Sequence, residues 1–207
     1  MYKHATSLYL STNATALGVV VEYFRLFRFG VQEDVPTSED MYGKEEAMVQ
    51  RSFLNTAMAP NVTDGVVVGL LKLVDSWKFM SRCFHGIDIQ PIRIVLGPGC
   101  VLNAAAKCSI TITENTIRLA FPDLINDTAG RIIAEKLVDQ EFTMYGTFEF
   151  KYDEQSGRIT SIQSKFDMLT PVLRLLGCLK DVARVFENAV ITPECRIRVT
   201  RREILLS

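Results

Sequence analysis

From Leu102 to Thr113 apolar and polar residues alternate almost without interruption. Leu102, Ala104, Ala106, Cys108, Ile110 and Ile112 share one parity, and Asn103, Lys107, Ser109, Thr111 and Thr113 share the other. Successive side chains of a strand point to opposite faces, so this run predicts a strand with one buried and one wetter face. A slip of one residue would bury Lys107 and expose the isoleucines, so the pattern admits a single register. One covered face and one wet face is the habit of antiparallel sheets.

The same period recurs on both sides of this run. Ile87, Ile89, Ile92, Ile94 and Leu96 alternate across Pro91, and Gly97-Pro98-Gly99 turns the chain. Phe142, Met144, Gly146, Phe148, Phe150 and Tyr152 repeat the pattern, Asp153 to Gly157 makes another turn, and Arg158 to Phe166 returns as a hairpin. Ile159 and Ile162 lie three apart, which predicts a bulge. At least four antiparallel strands are therefore expected between Ile87 and Asp167.

The remainder reads helical. Ser11 or Thr12 can cap a helix whose apolar stripe is Ala14, Leu17, Val20, Val21, Phe24 and Phe27, with Gly30 as its C-terminal glycine. After a polar loop over 32–43, a second helix is expected from about Lys44 to Met58, with Pro60 beyond it. A third opens at Asp64-Gly65, carries Val67, Leu70, Leu71, Val74, Trp77 and Phe84, and ends at Gly86. Thr128 can cap a helix bearing Ile132, Ile133 and Leu137. Thr170-Pro171 opens a short helix to Leu176, and Leu179, Val182 and Phe186 mark another. The organisation expected is a flexible tail over 1–10, one domain over 11–195, and a basic tail over 196–207 with Arg196, Arg198, Arg201 and Arg202.

The formal net charge of −1 sets no long-range field for phosphates. The richest apolar run, Val66 to Val74, is interrupted by Lys72 and is shorter than the ~20 residues of a membrane helix. Five cysteines (Cys83, Cys100, Cys108, Cys178, Cys195) form no C-x-x-C pair, so buried thiols in a reducing compartment are expected, in the cytoplasm or nucleus. With His4 and His85 the only histidines, no metal site and no cofactor are expected. His85 reads as a surface or capping residue at a helix end.

The candidate ligand-binding residues are aromatic: Tyr23, Phe27, Trp77 and Phe148. Tyr23 and Trp77 lie among apolar neighbours, where each can turn a polar tip into a pocket. Asp167 ends the last strand. At the rim of an apolar cavity its pKa would rise and fit it as a general base. Otherwise it closes the strand and meets the next helix.

Three strings carry a family resemblance: Val21-Glu22-Tyr23-Phe24-Arg25-Leu26-Phe27-Arg28, then Ser109 to Thr116, then Asp167-Met168-Leu169-Thr170-Pro171 running on to Gly177. Asp181 to Glu187 and Ile191 to Cys195 continue it. These strings resemble a domain attached to basic-leucine-zipper transcription factors of oomycetes, and the order of helices and strands resembles the nuclear-transport-factor-2-like, or SnoaL-like, superfamily. The resemblance implies an α+β fold in which a cone-like, curved antiparallel sheet is wrapped by the N-terminal helices, with extra C-terminal helices. It also implies a regulatory context. The chain shows no basic region followed by leucine heptads, so no direct DNA binding is carried over. The reading is a non-catalytic domain that forms a homodimer or binds a small apolar ligand, with no membrane partner. The alternative is an isomerase, cyclase or dehydratase with Asp167 as base and Tyr23 or Trp77 shaping its pocket.

Overall fold

Helices and strands alternate along the chain as α1 (Lys3–Leu26), α2 (Met41–Ala57), β1 (Met58–Thr63), α3 (Leu70–Cys83), β2 (His85–Leu96), β3 (Val101–Thr111), α4 (Glu114–Ala120), α5 (Thr128–Leu137), β4 (Glu141–Asp153), β5 (Arg158–Phe166), α6 (Leu169–Leu176) and α7 (Leu179–Phe186). The computed structural model describes the backbone of residues 3–31 and 41–198 and the side chains of 15–31 and 45–198. Among the described residues no helix is long and apolar enough to cross a membrane.

The fold is α+β. Its sheet has five strands in the order β1-β5-β4-β3-β2. The four strands expected after Ile87 are present, and β2–β3 and β4–β5 are joined by tight turns, as antiparallel neighbours require. The sheet is nevertheless mixed, because β1 pairs with β5 in parallel. Between Met58↔Ile159 and Thr63↔Ser161 the register shifts, and Ser161 and Ile162 are buried in succession. The burial parity of β5 therefore breaks at Ser161–Ile162, as the three-residue gap between Ile159 and Ile162 predicted, whereas the extra residues of the register shift lie on β1.

Along β3 the alternation holds residue by residue. Leu102, Ala104, Ala106, Cys108 and Ile110 are buried, as is Ile112 just beyond, while Asn103 is exposed and Lys107 half-buried.

By internal contacts the chain divides into two compact units, and four strands contribute residues to both. Unit one comprises Met1–Lys78, Ile89–Ala106 and Thr147–Ser164; unit two comprises Phe79–Asp88, Lys107–Gly146 and Lys165–Ser207.

In unit one, α1 begins at Lys3 rather than at Ser11 or Thr12, so most of the stretch expected as a tail is helical. Its C-terminal glycine is where the sequence placed it: Gly30 has φ 81 and its amide donates to the Phe27 carbonyl. Gln50 of α2 is buried, and its side-chain amide donates to the Leu26 and Gly30 carbonyls at 2.8 and 3.1 Å. Carbonyls at a helix end have no partner within the helix, so this pairing lets a polar side chain stay inside. α3 starts at Leu70, later than expected. Asp64 instead makes an Asx turn, accepting from the Val66 and Val67 amides at 2.8 Å each.

Unit two holds α4, a short helix not foreseen, opened by a capping box between Thr113 and Thr116. α5 is capped by Asp127, whose side chain accepts from the Gly130 amide, one residue before the expected Thr128. Ile133 and Leu137 are buried there and Ile132 is exposed. His85 begins β2 instead of ending a helix.

Arg196 to Arg198 are folded rather than part of a tail, since Ile197 pairs with Ile191 and the Arg198 amide donates to the Val190 carbonyl at 2.7 Å. Arg201 and Arg202 lie outside the described residues, as does the expected loop as far as residue 40. Three of the five thiols are buried, whereas Cys178 is exposed and Cys195 half-buried.

Candidate functional site

Helical spacing on α1 places Val20, Tyr23, Phe24 and Phe27 on one side of the helix, and all four are buried. Strand parity on β4 does the same for Phe148 and Phe150. In unit one these rings meet Trp77 of α3 and Phe53 of α2.

The four predicted ligand-binding residues come together in this cluster. Tyr23 stacks on Phe27 at 5.0 Å between centroids and meets Trp77 edge-on at 5.7 Å and Phe148 at 6.0 Å. Phe27 lies 5.5 Å from Trp77. Phe24, Phe150 and Phe53 complete the group, with Tyr23–Phe150 at 5.3 Å, Phe24–Phe148 at 5.1 Å and Phe27–Phe53 at 6.2 Å. Centroid separations of 4.5–7 Å mark favourable aromatic pairs. Tyr23, Phe24, Phe27, Phe148 and Phe150 are buried, and Trp77 and Phe53 are half-buried at the cluster's margin. Sequence reasoning did not name Phe24, Phe150 or Phe53 among the ligand-binding residues. Phe150 carried a usable signal, being two residues from Phe148 on the same strand face.

Burial pushes the Tyr23 phenol well above its ordinary pKa, and burial is the sole cause. The neighbours that bury it are the aromatic rings of the cluster, so its surroundings are apolar.

Asp167 belongs to unit two. Thr170 donates to it twice, from its hydroxyl at 2.6 Å and from its amide at 3.0 Å. These bonds, the hydroxyl first, hold the carboxyl below the usual range against a smaller opposing effect of burial. The sign is opposite to that of a desolvated general base. Asp167 closes β5 and caps α6, taking the role expected of Thr170.

Asp167→Ala should therefore lower stability by about 1 kcal/mol, the usual cost of a lost cap. Because the folded pKa is depressed, this contribution is present above the ordinary carboxylate range and is lost as pH falls through the folded value. Denaturant midpoints of the two chains at pH 7 should differ, and should converge as pH falls through the depressed folded value.

The basic C-terminal segment is also partly committed. The Arg198 guanidinium donates to the Phe186 carbonyl at 2.9 Å and the Glu187 carbonyl at 3.2 Å, where α7 ends. A cation at a helix C-terminus is favourably placed. With Arg198 so engaged, the segment's arginines can make fewer than four phosphate contacts. Any binding to duplex DNA should be weak and sequence-blind, with log affinity against log salt no steeper than about −2.7. Fluorescence anisotropy of labelled duplexes across a salt series measures this, and tight sequence-selective binding would contradict it.

Residues 17–83 match a family model described as the BZIP transcription factor 1 C-terminal domain. The match takes in the Val21–Arg28 string and both helices that bring Phe53 and Trp77 to α1. A comparison with curated protein sequences finds no match. Similar solved structures include a SnoaL-like protein from Jannaschia sp. CCS1, at 12% identity and TM-score 0.47, covering 78% of this chain and 92% of that one. An NTF2-like protein from Exiguobacterium sp. 255-15 has 11% identity and TM-score 0.46, covering 72% and 98%. A LEH-like epoxide hydrolase from M. tuberculosis has 14% identity and TM-score 0.45, covering 81% and 91%. Both parts of the resemblance drawn from the sequence thus reappear, the zipper-factor domain over 17–83 and the NTF2-like, SnoaL-like neighbours. The structural likenesses are distant, and nothing about chemistry follows from them.

Proposed function

We propose that this chain is a non-catalytic module of a transcription-factor-related protein, and that its ring cluster seats a small apolar ligand against Trp77 and Phe27. One observation carries the reading. The rings of Tyr23, Phe27, Trp77 and Phe148 meet at 5.0–6.0 Å with Trp77 half-buried at the margin, so the cluster offers apolar surface that a ligand can reach. The match over residues 17–83 supports the regulatory context. The two bonds from Thr170 to Asp167 favour this reading over the enzymatic alternative, which needs that carboxylate as its base.

The module works as a homodimer in this reading. Ile92, Val95 and Leu96 of β2, which closes one edge of the sheet, are exposed apolar side chains that a second copy would cover.

Trp77 is the only tryptophan, so its emission reports the cluster directly. Titration with a neutral naphthylamine probe should give saturable energy transfer from Trp77, weakened about tenfold by Phe27→Ala, the equivalent of ~1.4 kcal/mol. Transfer that never saturates, or that is indifferent to Phe27, would count against the proposal.

A further inference from the structure

Tyr23 is the hub of the ring cluster in unit one, in contact with Phe24, Phe27, Trp77, Phe148 and Phe150. Four of these neighbours are phenylalanines, which bring no polar atom to its hydroxyl, and an indole N–H can only donate. Tyr23 is 6% exposed. A tyrosine buried this deeply ordinarily pairs its hydroxyl. Among the described residues, the Tyr23 hydroxyl makes no hydrogen bond. Nor is its oxygen sealed in. Arg184 Nε is the one wholly buried side-chain nitrogen or oxygen without a partner among the described residues. The phenol oxygen therefore still meets open space. Phenylalanine would fill the same core position without a polar atom to satisfy.

The chemistry of the hydroxyl defines what would complete it. Burial keeps the phenol protonated at neutral pH, so it offers a donor and needs an acceptor. Its ring touches Phe27 at 5.0 Å and Trp77 at 5.7 Å, so a ligand lying on those two rings lies beside it. An anionic acceptor would lose its hydration against walls made of aromatic rings, whereas a neutral oxygen loses far less.

We propose that the ligand of the ring cluster is a flat, apolar molecule carrying one neutral hydrogen-bond acceptor, a carbonyl or ether oxygen, to which the Tyr23 hydroxyl donates. This rests on the ring-cluster site proposed above and names the class of molecule that site takes. The rings supply affinity, and the hydroxyl supplies orientation and selection. A plain hydrocarbon of the same shape leaves the phenol unpaired and is discriminated against for that reason.

Equilibrium dialysis of the full chain against acetylnaphthalene and isopropenylnaphthalene tests it, since the two differ only in a carbonyl oxygen against a methylene group. The ketone should bind about tenfold more tightly. Tyr23→Phe should abolish that preference without weakening binding of the hydrocarbon. Naphthoate, the same body with a charged head, should bind the parent chain more weakly than the ketone at pH 7. Tyr23→Phe should also leave the urea midpoint no lower, because no hydrogen bond within the protein is lost. Four results would overturn the proposal while leaving an apolar site on the rings: equal binding of ketone and hydrocarbon, a preference that survives Tyr23→Phe, tighter binding of naphthoate, or a lowered midpoint. Failure of both neutral compounds to bind the parent chain would overturn it together with the site itself.

Discussion

Gly146→Ala should destabilise the chain by about 3 kcal/mol or more, a far larger effect than one added methyl group ordinarily has. Gly146 lies on β4 beside the end of β5. A Cβ built there would stand 2.1 Å from the Lys165 carbonyl oxygen and 2.5 Å from Cδ1 of the Phe166 ring. The first obstacle is backbone, which cannot turn aside as a side-chain tip can, so the strand pair itself must shift. Overpacking commonly costs ~1–3 kcal/mol, and a backbone clash belongs at the upper end or beyond. The control is Gly18→Ala in α1, where an added Cβ meets nothing within 4 Å. There the change should stabilise by about 0.5–1 kcal/mol through helix propensity. Urea midpoints of the three chains measure both effects. A Gly146→Ala chain as stable as the parent would show that β4 and β5 do not approach as described.

The second large effect is expected at Phe150. Its ring is wholly buried and contacts Tyr23, Phe24 and Phe148. Phe150→Ala should cost about 3–5 kcal/mol, the range for large aromatics removed from cores. Trp77→Ala should cost less, about 2–3 kcal/mol, since its indole is only half-buried and part of its surface already meets water. Chemical denaturation with an unchanged slope would read both as losses of packing. Equal costs at the two positions would place Trp77 in the core and leave no margin for a ligand to reach.

These expectations show which kinds of structure the sequence discloses. β3 was legible because a period of two over six apolar positions admits one register, and every one of those positions is buried. β1 was not, because Met-Ala-Pro-Asn-Val-Thr is short, shows no alternation and contains a proline, which only an edge strand tolerates well. Its parallel pairing with β5 has no local signature at all. α4 escaped notice because its capping box is Thr-x-x-Thr, without the glutamate or glutamine that marks the usual motif.

The ring cluster was half legible. Helical spacing placed Phe24 and Phe27 on the apolar stripe of α1 but not Tyr23, which is buried with them while Leu17 and Val21 of that stripe are exposed, and strand parity grouped Phe148 with Phe150. Only tertiary structure brings Phe53 to Phe27. Asp167 was found as a residue of interest, but its electrostatics were not. The hydroxyl of Thr170, expected to serve the helix end, donates instead to Asp167 and reverses the sign of the shift. Nothing local decides which of two neighbouring capping groups gives and which receives.

The central claim is that an apolar ligand sits on Trp77 and Phe27 in a module without catalytic groups. Intermolecular nuclear Overhauser contacts between the naphthylamine probe and the protein test it most directly. The account predicts contacts to the Trp77 indole and the Phe27 ring, with none to Asp167, and their loss in Phe27→Ala at unchanged fold. Contacts centred on Asp167, or chemical turnover of a bound carbonyl compound that Asp167→Asn abolishes, would contradict it.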